Sequence, residues 1–151
     1  MFDLRDLYQQ VIVDHSKSPR NFGRLDDCNH QADGYNPLCG DKLHIYLRIN
    51  DKNVIEDVSF EGEGCAISVA SASLMTDALK GKSVQESQAI FTQFQHMATA
   101  DLSETPDEAA LGKLAVLAGV REFPSRIKCA TLCWHTLQAA VNDSKTAAKT
   151  E

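Results

Sequence analysis

The sequence predicts a single α+β domain in which a small antiparallel sheet of about three strands lies early in the chain and packs against several helices. Three observations predict this class. An amphipathic helical pattern opens the chain, clear strand alternation follows between residues 42 and 62, and helical spacing dominates from residue 65 onward. Strands and helices that are segregated along the chain are typical of α+β domains.

The first element is an amphipathic helix that begins near residue 4 and ends before Pro19 and Gly23. Its apolar residues recur at the three- and four-residue spacing of a helix: Leu4, Leu7, Tyr8, Val11 and Ile12. No element is assigned to the polar stretch that follows, up to the segment GYNPLCGD.

Two strands are then predicted to form a hairpin. The segment KLHIYLRIN places Leu43, Ile45, Leu47 and Ile49 on one face, which is the alternation of a half-buried strand. NDKN reads as a turn and VIEDVSFEG as the returning strand.

Helices are predicted for most of the remaining chain. They cover CAISVASASLMTDALKG with Ile67, Ala70, Leu74 and Ala78 on one face, SVQESQAIFTQFQHMAT with a serine cap, AALGKLAVLAGV, and PSRIKCATLCWHTLQAAVND. DLSETPDE joins the second and third of these. The domain is predicted to span residues 1–143, and the small polar residues of 144–151 indicate a flexible tail.

Composition excludes several classes of protein. The 151 residues, 43% of them hydrophobic, suffice for one domain with a real core. The formal net charge of −6 argues against non-specific nucleic-acid binding, which requires Lys and Arg to neutralise phosphates. No apolar run reaches the roughly 18 residues of a membrane span, and the N-terminus does not resemble a signal peptide. Five cysteines without an export signal indicate a cytoplasmic protein whose thiols are metal ligands or reactive groups.

Three cysteines lie where the backbone favours thiolate chemistry. Cys39 sits between Leu38 and Gly40 in NPLCGD, two residues before Asp41. Cys65 follows GEG at a predicted helix start, where free N–H groups favour a thiolate. Cys129 follows two cations in RIKC, Arg126 and Lys128. Three sulfurs and one carboxylate are a plausible tetrahedral ligand set for Zn²⁺ or iron.

Other interpretations of these residues remain open from spacing alone. Cys129 and Cys133 share one helix face, so they could be half of a metal site, a dithiol, or two small core residues. Asp41 could be an ordinary turn residue. Cys28 is predicted to be a surface or half-buried thiol without function, and His135 to be solvated rather than a ligand.

The motifs NPLCGD, FEGEGCAISVASASLMT, KGKS and FPSRIKCATLCW resemble the NifU/IscU-type iron–sulfur assembly family, and its SufU-type branch in particular. The resemblance implies that Cys39, Asp41, Cys65 and Cys129 converge as metal ligands at one exposed end of the domain. Two features point to the SufU-type branch: Lys128 stands where IscU-type scaffolds have a histidine, and an extra segment, PDEAALGKLAVLAGVREFPSRIK, precedes the last ligand cysteine.

The resemblance further implies a zinc-dependent sulfur acceptor. Cys39 would take persulfide sulfur from a SufS-type cysteine desulfurase, a pyridoxal-phosphate enzyme, and pass it to downstream SUF assembly proteins. Asp41 would help to hold the zinc, and Arg126 and Lys128 would support the site or contact the partner. The main alternative is a scaffold that assembles and transfers a [2Fe–2S] cluster, with iron in place of zinc. A zinc site that only stabilises the fold, or a dithiol oxidoreductase, would also use these cysteines.

Overall fold

The computed structural model describes residues 4–101, 103–105, 108–142 and 148–149, and for 4–7, 108 and 148–149 only the backbone. The elements are α1 (Leu4–Lys17), β1 (His30–Asn36), β2 (Asp41–Ile49), β3 (Ile55–Glu63), α2 (Ala66–Leu79), α3 (Val84–Thr99), α4 (Glu108–Leu111), a 3₁₀ segment (Gly112–Glu122), α5 (Pro124–Val141) and β4 (Ala148–Lys149). The α+β class is confirmed: the described strands form one sheet in the order β3-β2-β1-β4, with β1, β2 and β3 antiparallel.

The predicted hairpin is present with boundaries within one residue of those expected. Leu43, Ile45, Leu47 and Ile49 all point into the core, and none exposes more than 9% of its surface. The turn after β2 closes with Asn53 in the left-handed region at φ 61°, and the Asn53 N–H donates to the Asn50 carbonyl at 3.0 Å. Alternating burial therefore sets the register of β2 against β3, because a shift of one residue would expose every one of these side chains.

Strand β1 lies in the stretch to which the sequence assigned no element. Its inward-facing residues are Ala32, Gly34 and Asn36, which carry too little apolar surface to give a hydrophobic alternation. They are small because α5 packs directly on this strand: a Cβ built on Gly34 would lie 1.9 Å from Thr136 Oγ1 and 3.3 Å from Leu132 Cδ1. The close approach of α5 to β1 brings the start of that helix next to the β1–β2 turn.

Gly34→Ala is therefore expected to lower the free energy of unfolding by about 1–3 kcal/mol, the usual cost of forcing extra volume into a packed core. Urea denaturation of the wild type, Gly34→Ala, Thr136→Ala and the double variant measures this effect. Because Thr136→Ala removes the clashing hydroxyl, the double variant should be destabilised by less than the sum of the two single destabilisations. Equal stability of Gly34→Ala and wild type would contradict the packing described.

Helix α2 is buried nearly all round rather than along one stripe. Ala70 and Leu74 of the predicted face are fully buried, whereas Ile67 and Ala78 are only partly buried. The helix packs against α1, α5 and β3 together, which explains why most of its other residues are also buried. Its serines bond across these interfaces: Ser73 Oγ contacts His15 Nδ1 at 2.7 Å, and Ser71 Oγ donates to the Ala130 carbonyl at 2.6 Å.

The helix predicted over residues 109–120 is mostly of the 3₁₀ type. One α-helical turn ends at Gly112, whose φ of 55° cannot continue a right-handed helix. Beyond it Leu114, Leu117 and Val120 are at most 1% exposed. Their spacing of three residues matches the three-residue turn of a 3₁₀ helix, so this geometry points all of them into the core.

The last helix confirms the expected start at Pro124 and anchors the aromatic core. Trp134 is fully buried and stacks on Phe91 and Phe94 of α3, with ring centroids 5.6 and 5.1 Å apart. Of the predicted tail 144–151, only residues 148–149 are described, and they pair in parallel with Gly34 and Tyr35 of β1. The rest of that prediction lies outside the described residues. Among the described helices, none is long and apolar enough to cross a membrane.

Candidate metal centre

The turn between β1 and β2 presents Cys39 and Asp41 to the same place. Gly40 adopts a φ of 69°, which L side chains rarely reach, and this reverses the chain between the two side chains. The turn is closed by a hydrogen bond of 3.2 Å from the Cys39 N–H to the Asn36 carbonyl. Cys39 is exposed, whereas Asp41 is only 1% exposed. One tight turn thus carries an exposed thiol and a buried carboxylate.

Cys65 is the N-cap of α2, one residue before the predicted first turn. Its Sγ accepts a hydrogen bond from the Ser68 N–H at 3.4 Å, as a capping side chain does. Its own N–H donates to Asp41 Oδ1 at 2.7 Å, and its Sγ lies 3.8 Å from Asp41 Oδ2. The carboxylate of Asp41 therefore bonds directly to the backbone at the start of α2.

Cys129 lies in the second turn of α5 and is 2% exposed. Its Sγ is 3.2 Å from Cys39 Sγ, across 90 residues of chain. Ligand atoms of Cys39, Asp41 and Cys129 all lie within 4.8 Å of one another, and Cys65 stands beside them through its contact with Asp41. The four residues singled out from the sequence are therefore brought to one place.

The thiols influence one another's ionisation. The pKa of Cys65 is lowered to about 7, mainly by a hydrogen bond from the Cys129 thiol. Burial of Cys65 opposes this shift, and the hydrogen bond from the Ser68 N–H adds to it. The hydrogen bond between the two thiols, together with burial, raises the pKa of Cys129. Of this coupled pair of thiols, Cys65 is therefore the one that ionises more readily. A bound metal ion would favour the ionised form of each thiol that ligates it.

The side chains of this cluster suit a metal ion that binds thiolates. Cysteine sulfur and aspartate oxygen are both ligands of Zn²⁺, which takes four of them in a tetrahedron, and the same groups also suit iron. Two polar atoms of residues that contact the cluster, Asn36 Oδ1 and Ser68 Oγ, are buried without a hydrogen-bond partner in the described part of the chain. A bound ion or an ordered water is one of the usual partners of such atoms.

The remaining cysteines lie outside the cluster. Cys133 is fully buried, contacts Ser71 Oγ at 3.5 Å, and has its pKa raised to about 12 by burial. It therefore faces α2 whereas Cys129 faces Cys39, and the two do not form a dithiol pair. Cys28 is half-buried, as expected. His135 is not solvated as the sequence suggested: it is half-buried against Phe91, with ring centroids 5.4 Å apart.

The two cations before Cys129 lie at the rim. The Arg126 guanidinium stacks on the Phe123 ring, 4.1 Å from its centroid, and Lys128 is half-buried. Arg126 also lies near the Tyr8 hydroxyl of α1. This hydroxyl is buried and forms no hydrogen bond with any of the described residues. Burial raises the pKa of Tyr8, and the Arg126 charge opposes that rise. The sequence marked Tyr8 only as an apolar position.

Asn36 is the cluster residue that the sequence does not reveal. It is fully buried, and its Nδ2 donates to Asp41 Oδ2 at 3.2 Å and to Cys129 Sγ at 3.4 Å. The only available signal is its position next to the proline of NPLCGD, which any turn could explain.

Gly64 is packed against the cluster, so Gly64→Ala is expected to displace the Asp41 carboxylate. A Cβ on Gly64 would lie 2.5 Å from Asp41 Oδ1, closer than real Cβ contacts allow. We expect Zn²⁺ affinity to fall by about 10-fold or more, as for other changes in the surroundings of metal ligands. Competition with a chromophoric chelator measures it, and the control is Gly81→Ala, just beyond the opposite end of α2, where an added Cβ would meet nothing within 4 Å. Unchanged affinity in Gly64→Ala would contradict a ligand role for Asp41.

Fold and cluster together define an α+β domain in which three cysteines and one aspartate lie close together, as a metal site would require. A family model described as the NifU-like N terminal domain matches residues 7–130. The zinc-dependent sulfurtransferase SufU of Bacillus subtilis (strain 168) is 45% identical over 139 residues, which cover 92% of each chain. The iron–sulfur cluster assembly scaffold protein IscU of Streptococcus pyogenes serotype M1 is 43% identical over 144 residues, covering 95% of this chain and 88% of that protein.

A solved structure agrees with these sequence relatives. The putative iron–sulfur cluster assembly scaffold protein for the SUF system from Fervidobacterium islandicum AW-1 superposes with a TM-score of 0.81 at 34% identity, over 91% of this chain and 98% of that one. The chain therefore belongs to the NifU-like N-terminal domain family, which includes the SufU and IscU proteins of iron–sulfur cluster assembly.

Proposed function

We propose that this protein is a zinc-dependent sulfur acceptor that acts in the cytoplasm with a SufS-type cysteine desulfurase, a pyridoxal-phosphate enzyme. It takes persulfide sulfur on Cys39 and passes it to downstream SUF assembly proteins for iron–sulfur cluster synthesis. Cys39, Asp41, Cys65 and Cys129 are the proposed zinc ligands. The similarity to a zinc-dependent sulfurtransferase, at 45% identity, supports this choice.

The difference in exposure within the cluster carries the proposal. Cys39 is exposed on a turn, whereas Asp41 and Cys129 are at most 2% exposed and Cys65 is held as a helix cap. Only Cys39 can therefore leave the cluster and reach a partner without unpacking the fold. Leu38, next to it, exposes 66% of its surface and offers apolar contact to a docking protein.

A Zn²⁺ ion held by these groups would keep their thiols deprotonated at neutral pH. The Cys39 thiolate attacks the terminal sulfur of the persulfide on the desulfurase. A new S–S bond forms at Cys39 Sγ while the S–S bond of the enzyme persulfide breaks, and the enzyme cysteine leaves as a thiolate. The transferred sulfur keeps its proton, so the exchange needs no external oxidant or reductant. Asp41, Cys65 and Cys129 stay in place throughout, because each is fixed to the body of the domain.

The proposal is tested by the rate at which a SufS-type desulfurase converts cysteine to alanine, with and without this protein. A strong increase in turnover is expected, together with about one zinc ion per chain in protein purified without air. A desulfurase rate that is unaffected by the zinc-loaded protein would overturn the proposal.

A second candidate is a scaffold on which a [2Fe–2S] cluster is assembled and transferred. The 43% identity to the streptococcal IscU scaffold supports it, and the same four residues would serve as ligands. Lys128, in place of the histidine of IscU-type proteins, argues against it. A cluster that forms on the anaerobically purified protein and moves intact to an apo-ferredoxin would favour the scaffold, and bound zinc without a cluster favours sulfur transfer.

A further inference from the structure

Asn36 contacts three of the four proposed ligands. It ends β1, directly opposite Asp41 in the β1–β2 register, and none of its surface is exposed. Its backbone carbonyl accepts the Cys39 N–H at 3.2 Å, and its Nδ2 donates at 3.2 Å to Asp41 and at 3.4 Å to Cys129. One side chain and one carbonyl thus link the turn of Cys39 to the helix of Cys129.

The orientation of the amide lets its Nδ2 donate hydrogen bonds but leaves its oxygen without a partner among the described residues. Asn36 Oδ1 is buried without a partner in the described part of the chain, an arrangement that is unfavourable for a hydrogen-bond acceptor. The reverse orientation would point that oxygen at the Asp41 carboxylate, which repels it. The position therefore requires two donors, which asparagine has and aspartate lacks.

Donors are unevenly distributed among the three sulfurs. Cys65 Sγ accepts the Ser68 N–H and Cys129 Sγ accepts the Asn36 amide, whereas Cys39 Sγ receives no N–H from the described residues. An N–H donor stabilises the thiolate that accepts it and fixes the position of that sulfur, and by withdrawing electron density it makes the sulfur a weaker nucleophile. By this criterion Cys39 is the most reactive of the three.

We propose that Asn36 is a positioning residue that holds Asp41 and Cys129 as permanent ligands and thereby leaves Cys39 as the nucleophile. This inference rests on the proposed function, because it assigns a reason for the choice of Cys39 within the same site. Asn36 itself touches neither the transferred sulfur nor the partner. Its effect is exerted through the two groups to which its amide donates.

The decisive variant is Asn36→Asp, which keeps the shape of the side chain and removes both donors. We expect Zn²⁺ affinity, measured by competition with a chromophoric chelator, to fall by about 10- to 100-fold. The thiolate-to-metal absorption band of the Co²⁺-loaded protein should shift, and brief treatment with iodoacetamide should label Cys129 as well as Cys39. Asn36→Ala, which adds no charge, is measured in the same way. If the aspartate variant fails to fold, the alanine variant tests the role of Asn36.

The matched control is Asn29→Asp, at the far end of β1. The Asn29 amide also makes two hydrogen bonds, at 2.7 and 2.9 Å, both to the backbone of Ile49. It should leave metal affinity, the Co²⁺ band and the labelling pattern as in the wild type. If the wild type binds metal and the Asn36 variants match it in all three measurements, the role of Asn36 is wrong. If the wild type itself binds no metal, the proposed function fails instead.

Discussion

Replacing Cys39 by alanine is expected to reduce the turnover of a SufS-type desulfurase to the rate of that enzyme alone. All five cysteines lie in the described part of the chain, and Cys39 is the only one that is exposed: Cys28 and Cys65 are half-buried, and Cys129 and Cys133 are buried. The loss of a covalent nucleophile removes the step rather than weakening it. The measurement is alanine production from cysteine at a fixed concentration of the zinc-loaded variant.

Cys133→Ser is the control for this experiment. Cys133 lies one helical turn from Cys129 but is fully buried against Ser71, so its replacement should leave the stimulation of the desulfurase intact. The two variants also separate sulfur transfer from a purely structural zinc site. If Cys39→Ala lowers the melting temperature yet stimulates the desulfurase as the wild type does, the site serves only stability.

Removal of the metal with a strong chelator is expected to lower the melting temperature by about 10 °C. The proposed ligands join the β1–β2 turn, the start of α2 and the second turn of α5, and the Cys39–Cys129 contact alone spans 90 residues. An ion that binds only the folded chain adds about 4 kcal/mol when present at 1,000 times its dissociation constant. In a domain of this size each kcal/mol corresponds to about 2–4 °C.

Asp41→Ala should show a much smaller chelator effect, measured by thermal unfolding followed by circular dichroism. The variant loses a proposed ligand and also the acceptor of the Cys65 N–H. Its metal-free form should therefore melt somewhat below metal-free wild type. A wild-type melting curve that does not move when chelator is added would contradict a metal site that ties these three elements together.

The parts of the fold that the sequence predicts well are those in which one face is apolar and the other polar. The β2–β3 hairpin belongs to this group, because Leu43, Ile45 and Leu47 alternate with polar residues. Strand β1 could not be located, since α5 packs so closely on it that only small residues such as Gly34 fit beneath. Helix α2 is predicted correctly, but it is more buried than its sequence suggests, because Ser71 and Ser73 form hydrogen bonds with residues of α5 and α1.

The site, like the fold, contains residues that the sequence predicts and residues that it does not. Cys39, Asp41, Cys65 and Cys129 were singled out because thiols at turns and helix starts have a recognisable chemistry, and family motifs surround them. Asn36 carries no such signal: its importance depends on the pairing of β1 with β2 and on the position of α5, which only the tertiary structure supplies. Residues that orient ligands from a buried position are therefore the part of such a site that a single sequence does not reveal.

The central claim, that Cys39 accepts the sulfur, is tested most directly by mapping the persulfide. The zinc-loaded protein is incubated with a SufS-type desulfurase and cysteine, trapped with an alkylating reagent, digested without reductant and analysed by mass spectrometry. We expect one added sulfur on the peptide that contains Cys39, and none on the peptides of Cys65, Cys129 or Cys133. Added sulfur on one of those peptides while Cys39 remains unmodified, or no added sulfur at all, would contradict it.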